Sequence, residues 1–124
     1  MEHAPQAARQ GKEETVSETR SAFTANIEEM VEFARGGIVS KTIVEGEGMR
    51  FLLFCMEAGQ ELSEHTASVP AAIYVVKGKA RVRLGEAQHE AAAGWFGYLP
   101  AQLPHAIRAQ ENLTFLLVMG GGKR

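Results

Sequence analysis

Residues 79–92 read KARVRLGEAQHEAA, and this stretch decides the fold class. Its first six residues alternate between charged and apolar side chains, with Ala80, Val82 and Leu84 on one face. Such alternation predicts a strand with one buried face and one solvated face. Gly85-Glu86 then supplies a turn into residues 87–92. The stretch therefore predicts an antiparallel hairpin whose basic side chains point to solvent.

Short β segments separated by turn residues continue on both sides of this hairpin. They cover residues 38–45, 49–57, 61–66, 72–77, a short strand ending at Pro100, 105–109 and 113–119. Eight or nine short strands at regular spacing are typical of an antiparallel sandwich or barrel, and closure of a barrel removes exposed strand edges. We therefore predict one all-β domain over residues 38–119, with no internal repeat and no second domain.

The flanking segments have a different composition. Residues 1–20 are polar and aperiodic, so we expect a disordered tail, and residues 120–124 are expected to be a flexible tail. Residues 21–37 contain a predicted short helix that is capped by Asn26 and ended by Gly36-Gly37. Its apolar face consists of Ile27, Met30, Val31 and Ala34. Because so short a helix is unstable alone, it must pack on the barrel.

Composition places the chain among ordinary soluble proteins. Of the 124 residues, 45% are hydrophobic and 23% are charged, and the net charge is -2. That charge provides no basic field for nucleic acid, and no apolar run reaches the roughly 20 residues of a membrane span. The single cysteine, Cys55, excludes an internal disulfide and is typical of a reducing compartment. Since the N-terminus lacks a secretory signal pattern, we expect a cytoplasmic protein without nucleic-acid or membrane partners.

Two segments carry glycine, proline and histidine at a distinctive spacing. The first runs from Gly59 through His65 to Gly78, and the second runs from Gly94 through Pro100 to His105. This spacing, with the 15 residues between the segments, resembles the two motifs of the cupin superfamily, in particular small single-domain bacterial cupins with an RmlC-like barrel. The resemblance covers roughly residues 38–119 and implies a cupin-type antiparallel β-barrel, or jelly roll, behind the short helix. It also implies a homodimer, with strand 38–45 and the preceding helix as the expected contact.

The resemblance further implies a metal, but the ligand set is incomplete. Metal-binding cupins hold a divalent transition metal, such as Zn, Ni, Fe or Mn, with three histidines and one glutamate. Only His65 and His105 occupy those positions here, because the other two hold Ala67 and Ala71. Alanine has no donor atom, and catalytic zinc or iron usually has three protein ligands. Other conceivable donors are Glu61 and Ser63, which share the strand parity of His65, and Tyr98, Gln102 and Cys55.

The two histidines are expected to face a shared barrel cavity. The rest of its lining is predicted to be Ile73, Val75, Tyr98, Gln102 and Ile107. So apolar an interior suits a small, largely hydrophobic or aromatic ligand with one polar handle. We therefore predict a small-molecule-binding cupin with no certain cofactor and no assigned catalytic residue. The alternative is a metal-dependent enzyme of the dioxygenase or isomerase type that uses His65 and His105 as metal ligands. A third hypothesis is a purely structural or sensory module in a larger complex.

Overall fold

Nine strands make up most of the described chain. The computed structural model describes Thr19 and residues 21–120. The strands are β1 (Ile38–Gly46), β2 (Met49–Met56), β3 (Glu61–His65), β4 (Ala71–Lys77), β5 (Lys79–Leu84), β6 (Ala87–Ala92), β7 (Phe96–Leu99), β8 (His105–Ala109) and β9 (Leu113–Gly120). Three of them coincide with the predicted segments, and no other predicted boundary is wrong by more than one residue. The all-β prediction is therefore confirmed.

The strands form two antiparallel sheets that pack face to face. One sheet has five strands in the order β1-β2-β9-β4-β7, and the other has four in the order β3-β8-β5-β6. Strands distant in sequence, such as β2 and β9 or β3 and β8, are hydrogen-bonded neighbours. This alternation of the chain between two sheets is the arrangement of a jelly roll, so the predicted barrel architecture is confirmed.

A core of apolar side chains fills the space between the sheets. Both sheets contribute to it, the five-stranded sheet through Met56, Leu113 and Phe115 and the four-stranded sheet through Val82 and Ile107. The rings of Phe54 and Phe115 stack with their centroids 5.0 Å apart. Because each fully buried side chain of this kind contributes about 1.5–3 kcal/mol, this core is the main source of the barrel's stability.

A second, smaller cluster lies on the outer face of the five-stranded sheet. Val39, Leu53 and Cys55 are buried there, although they point away from the barrel interior. The segment before β1 covers them with the side chains of Ile27, Met30, Phe33 and Ala34. The N-terminal segment therefore packs on the barrel, as so short an apolar segment must.

The predicted short helix is present, but it is shorter than the sequence pattern indicates. Only Ile27–Met30 is helical, as a single 3-10 turn, and Val31 already has extended backbone angles. Asn26 does cap this turn, because its side chain accepts a hydrogen bond from the Glu28 amide. In a longer α-helix the Met30 carbonyl would accept from residue 34, but here it accepts from Lys41 Nζ at 2.8 Å. The contact with β1 therefore replaces the helical bond that the sequence pattern predicts.

The predicted tails mostly lie outside the described residues, which exclude 1–18, 20 and 121–124. Within the described part, the Thr19 amide donates to the Glu45 carbonyl at 2.8 Å, and Gly120 is the last residue of β9. No helix in the described part of the chain has the length and apolar character needed to cross a membrane.

Candidate functional site

His65 and His105 lie side by side at one end of the barrel. The strand register places them directly opposite each other on β3 and β8. Their ring centroids are 4.2 Å apart, and the ring planes are inclined by 59°. His105 is buried, with 8% of its surface exposed, whereas His65 is exposed at the rim. The motif spacing thus brings together two imidazoles from strands that are 40 residues apart in the chain.

Local hydrogen bonds fix the orientation of both rings. Nδ1 of His65 is 2.8 Å from the Ser63 carbonyl oxygen, and Nδ1 of His105 is 2.9 Å from the Leu103 carbonyl oxygen. A carbonyl oxygen only accepts, so each Nδ1 carries the hydrogen and donates it. In the neutral ring this leaves the lone pair on Nε2 of both histidines. The pair can therefore accept hydrogen bonds from a ligand or donate electron pairs to a cation.

A bulge in β3 decides which neighbours share the face of His65. The register shifts between Leu62 and His65, so that Leu62 lies opposite Ile107 and His65 opposite His105. The expectation that Glu61 shares the face of His65 is therefore wrong, because it assumes unbroken alternation. Ser63 lies within the register shift, between Leu62 and His65. Glu61 lies opposite Arg108 instead, and their side chains form an exposed ion pair at 3.4 Å.

Three of the predicted cavity residues lie in the core. Ile73, Val75 and Ile107 are buried, and they belong to the apolar cluster between the sheets. Ile107 is two residues beyond His105 on the same face of β8, so the histidine pair borders directly on this core. The side of the pair that faces into the barrel is therefore apolar.

Tyr98 and Gln102 occupy different positions from these three. Alternation along β7 turns Leu99 inward and Tyr98 outward, so the Tyr98 side chain is 61% exposed on the outer face of the sheet. Tyr98 therefore does not line the interior. Gln102 is exposed in the loop between β7 and β8, where its backbone N–H donates to the Ala67 carbonyl at 2.7 Å. It belongs to the rim near the histidines.

The donor set of a cupin metal site is not complete in this chain. Within Thr19 and residues 21–120, no group of three His, Cys, Asp or Glu side chains is placed to hold a metal ion. Cys55 does not join the histidines, because it is buried in the cluster on the outer face of the other sheet. Two imidazole nitrogens are therefore present where the family's metal site has four protein ligands, and these residues alone do not form that site.

Sequence reasoning missed a charged pair on the inner face of the five-stranded sheet. Arg50 and Glu45 lie opposite each other on β2 and β1, and Arg50 Nε is 3.2 Å from Glu45 Oε2. The alternation along β2 could have revealed that Arg50 points inward. Arg50 lies on the same face of the strand as Phe54 and Met56, whose side chains pack in the core.

The fold and the histidine pair together define a double-sheet barrel of the cupin type. A family model for the cupin domain matches residues 52–119, which is more than half of the chain. The protein belongs to the cupin family.

Solved structures of other proteins share this fold. A protein of unknown function from Streptococcus pyogenes has a TM-score of 0.74 at 22% identity, covering 90% of this chain and 97% of the other. An RmlC-like cupin from Desulfovibrio desulfuricans has a TM-score of 0.73 at 26% identity, and the match covers 81% of this chain and 97% of the other. A variant of salicylate 1,2-dioxygenase from Pseudoaminobacter salicylatoxidans has a TM-score of 0.65 at 15% identity, and the match covers 70% of this chain and 27% of the other. A comparison with curated proteins finds no significant match.

Proposed function

We propose that this cupin binds a small molecule at the barrel end bordered by His65 and His105, without a metal. One observation carries the proposal. Two imidazoles meet at this end, and in their neutral form both offer an Nε2 lone pair, because both Nδ1 atoms donate to carbonyl oxygens. Such a pair is a polar handle next to an apolar core, which is the usual composition of a small-molecule site.

The exposure of the two histidines supports a ligand that enters from the rim. His65 is exposed while its partner ring is almost fully buried, so the pair extends from solvent toward the core. The buried residues beyond it, such as Ile107 and Val82, are apolar. A ligand with a hydrophobic or aromatic body and one hydrogen-bonding group matches this gradient.

A metal-dependent cupin enzyme, of the dioxygenase or isomerase type, is the second candidate. The observation that favours it is the same pair of Nε2 lone pairs, because imidazole nitrogen is the commonest metal ligand in proteins. The shortage of protein ligands speaks against it, since two alanines stand at the other two ligand positions. Water would have to complete the coordination of a zinc, nickel, iron or manganese ion.

The decisive experiment measures ligand binding in protein that has been treated with a chelator. A panel of small aromatic and aliphatic alcohols, amides and acids is screened by NMR, with the ring signals of both histidines as the readout. We expect at least one compound to shift both signals and to lose about tenfold in affinity, about 1.4 kcal/mol, in His65→Ala. Because His65 is exposed, this variant should fold.

The adjacent exposed Thr66 supplies the matched control. Thr66→Ala should bind the same compounds with unchanged affinity. Elemental analysis of wild type, His65→Ala and His105→Ala, purified without chelator, separates the two candidates. Metal near one equivalent that is lost in both variants, together with ligand binding that chelator abolishes, would replace our proposal with the metal-dependent enzyme.

We also propose that the protein is a cytoplasmic homodimer. The free, buried Cys55 is consistent with a reducing compartment. The outer face of the five-stranded sheet supports self-association, because it exposes Tyr74, Phe96 and Tyr98 at 44%, 63% and 61%. Since residues before β1 already cover much of the outer face of that strand, the contact centres on β4 and β7 rather than on residues 38–45.

A further inference from the structure

Arg50 is a cationic side chain on an inner face of the barrel. It lies opposite Met119 in the register of β2 and β9, and Met119 packs against the interior core. Every other lysine or arginine on the nine described strands points outward by its register or exposure, as Lys41, Lys79 and Arg108 do. The Arg50 side chain is 38% exposed, so this guanidinium is a charged group at an inward-facing position that solvent still reaches.

A bulge in β1 sets the surroundings of this guanidinium. The register shifts between Thr42 and Val44, which turns Glu45 to the same face as Arg50. Glu45 Oε2 is 3.2 Å from Arg50 Nε, and Arg50 Nη2 donates to the buried Thr42 hydroxyl at 3.5 Å. The guanidinium therefore has a carboxylate and a hydroxyl beside it on the inner face, and 38% of its side chain stays exposed.

The register places Arg50 at the same end of the barrel as the histidines. The row that begins at Arg50 continues across the sheet through Met119, Ala71 and Leu99. Loop 66–70 joins Ala71 to His65, and loop 100–104 joins Leu99 to His105. A hydrogen bond from the Gln102 backbone N–H to the Ala67 carbonyl links the two loops. The guanidinium and the imidazole pair therefore border one end of the interior, and the side chains between them are apolar.

We propose that Arg50 binds a carboxylate group of the ligand, so that the ligand class is a small hydrophobic or aromatic monocarboxylic acid. This inference rests on the proposed function of the histidine end. A guanidinium matches a carboxylate because its N–H groups lie in one plane and form charge-assisted, two-point hydrogen bonds. The adjacent Glu45 carboxylate disfavours a doubly charged phosphate, whose repulsion from Glu45 would be larger. The histidines then bind a second polar atom of the same ligand.

The test compares acids with amides of the same shape. Benzoate with benzamide and hexanoate with hexanamide are titrated into wild type, Arg50→Gln, Glu45→Gln and Arg108→Gln. The His65 ring signal is followed by NMR in all four proteins, and the Arg50 Nε–H signal in the three that retain Arg50. In wild type the acid should bind at least about tenfold more tightly than its amide. Arg50→Gln should abolish this acid preference, whereas Glu45→Gln should keep or increase it, because Glu45 competes for the guanidinium. Arg108→Gln removes the same charge from the outer face and should change nothing.

The outcomes separate this inference from the proposed function. If amides shift the His65 ring as strongly as acids do, the histidine end binds small molecules and the role of Arg50 in carboxylate recognition is wrong. If the acid preference survives in Arg50→Gln, the Arg50–Glu45 pair is only structural. If no acid and no amide shifts either signal, both the carboxylate inference and the proposed function fail. A simple loss of stability in Arg50→Gln cannot mimic the expected result, because it would weaken acid and amide equally.

Discussion

Single glycines in the motif have backbone angles that other residues rarely adopt. Gly78 has φ of 97°, and a Cβ there would press against the carbonyl oxygen of Asn112 and lie 3.0 Å from Leu113 Cα. Gly94 has almost the same φ, 95°, but no atom within 4 Å of such a Cβ. Gly94→Ala should therefore cost about 1–3 kcal/mol through backbone strain alone. Gly78→Ala should cost clearly more, since the turn between β8 and β9 must also move. Urea denaturation followed by circular dichroism measures both, and equal losses would refute the steric explanation.

Some contacts of single residues in the candidate site can be predicted from residue patterns, and others cannot. Motif spacing encodes which strand ends meet, and the structure places His65 and His105 opposite each other on β3 and β8. Strand parity failed at two bulges, since one extra residue reverses the faces of all that follow. The bulge in β3 moved Glu61 out of the candidate site, and the bulge in β1 brought Glu45 to the inner face beside Arg50. Bulges have no reliable signature in a single sequence, so these contacts required the structure.

At the scale of elements, the N-terminal segment is held on β1 by a buried lysine. Lys41 Nζ donates to the Met30 carbonyl at 2.8 Å and is 3.0 Å from Glu32 Oε1, and its side chain is 6% exposed. Lys41→Met keeps the aliphatic stem but removes this donor. We expect a loss of about 1–3 kcal/mol in the free energy of unfolding, because the partly buried Met30 carbonyl loses its hydrogen bond. Faster amide exchange at Gly36 and Gly37 should accompany it, since both belong to the anchored segment.

The exposed pair of Arg81 and Glu90 supplies the control for this element. Arg81 Nε is 2.9 Å from Glu90 Oε2, which is about the distance between Lys41 Nζ and Glu32 Oε1, but the Arg81 and Glu90 side chains are 46% and 66% exposed. Arg81→Met should therefore cost less than about 1 kcal/mol, because exposed ion pairs contribute little. Equal effects of the two substitutions would mean that burial gives Lys41 no special role. This lysine also explains why the early end of the helix could not be predicted, since local spacing contains no information about a donor that arrives from β1.

At the scale of the whole molecule, the two outer faces of the barrel differ in kind. The four-stranded sheet carries a row of charges across all its strands, formed by Glu61, Arg108, Arg81 and Glu90. The five-stranded sheet instead exposes aromatic side chains, beside an apolar groove of about 230 Å³ lined by residues such as Phe23, Phe51 and Val118. Among the residues that the structure describes, no large hydrophobic side chain is exposed on the opposite face. Clustered exposed apolar side chains are typical of a protein–protein interface.

This difference predicts which substitution dissociates the proposed homodimer. Tyr98→Glu places a carboxylate on the aromatic face, where two copies of the chain would have to bury it, so we expect the dimer dissociation constant to rise at least about tenfold. Gln88→Glu adds the same charge at an exposed position on the charged face and should leave association unchanged. Sedimentation velocity over a range of concentrations measures both variants against wild type. A wild-type protein that is monomeric at every concentration would refute the homodimer, and equal weakening by both variants would place the interface on neither face alone. Because Tyr98 points away from the interior, ligand binding at the histidine end should survive its substitution, which separates assembly from recognition.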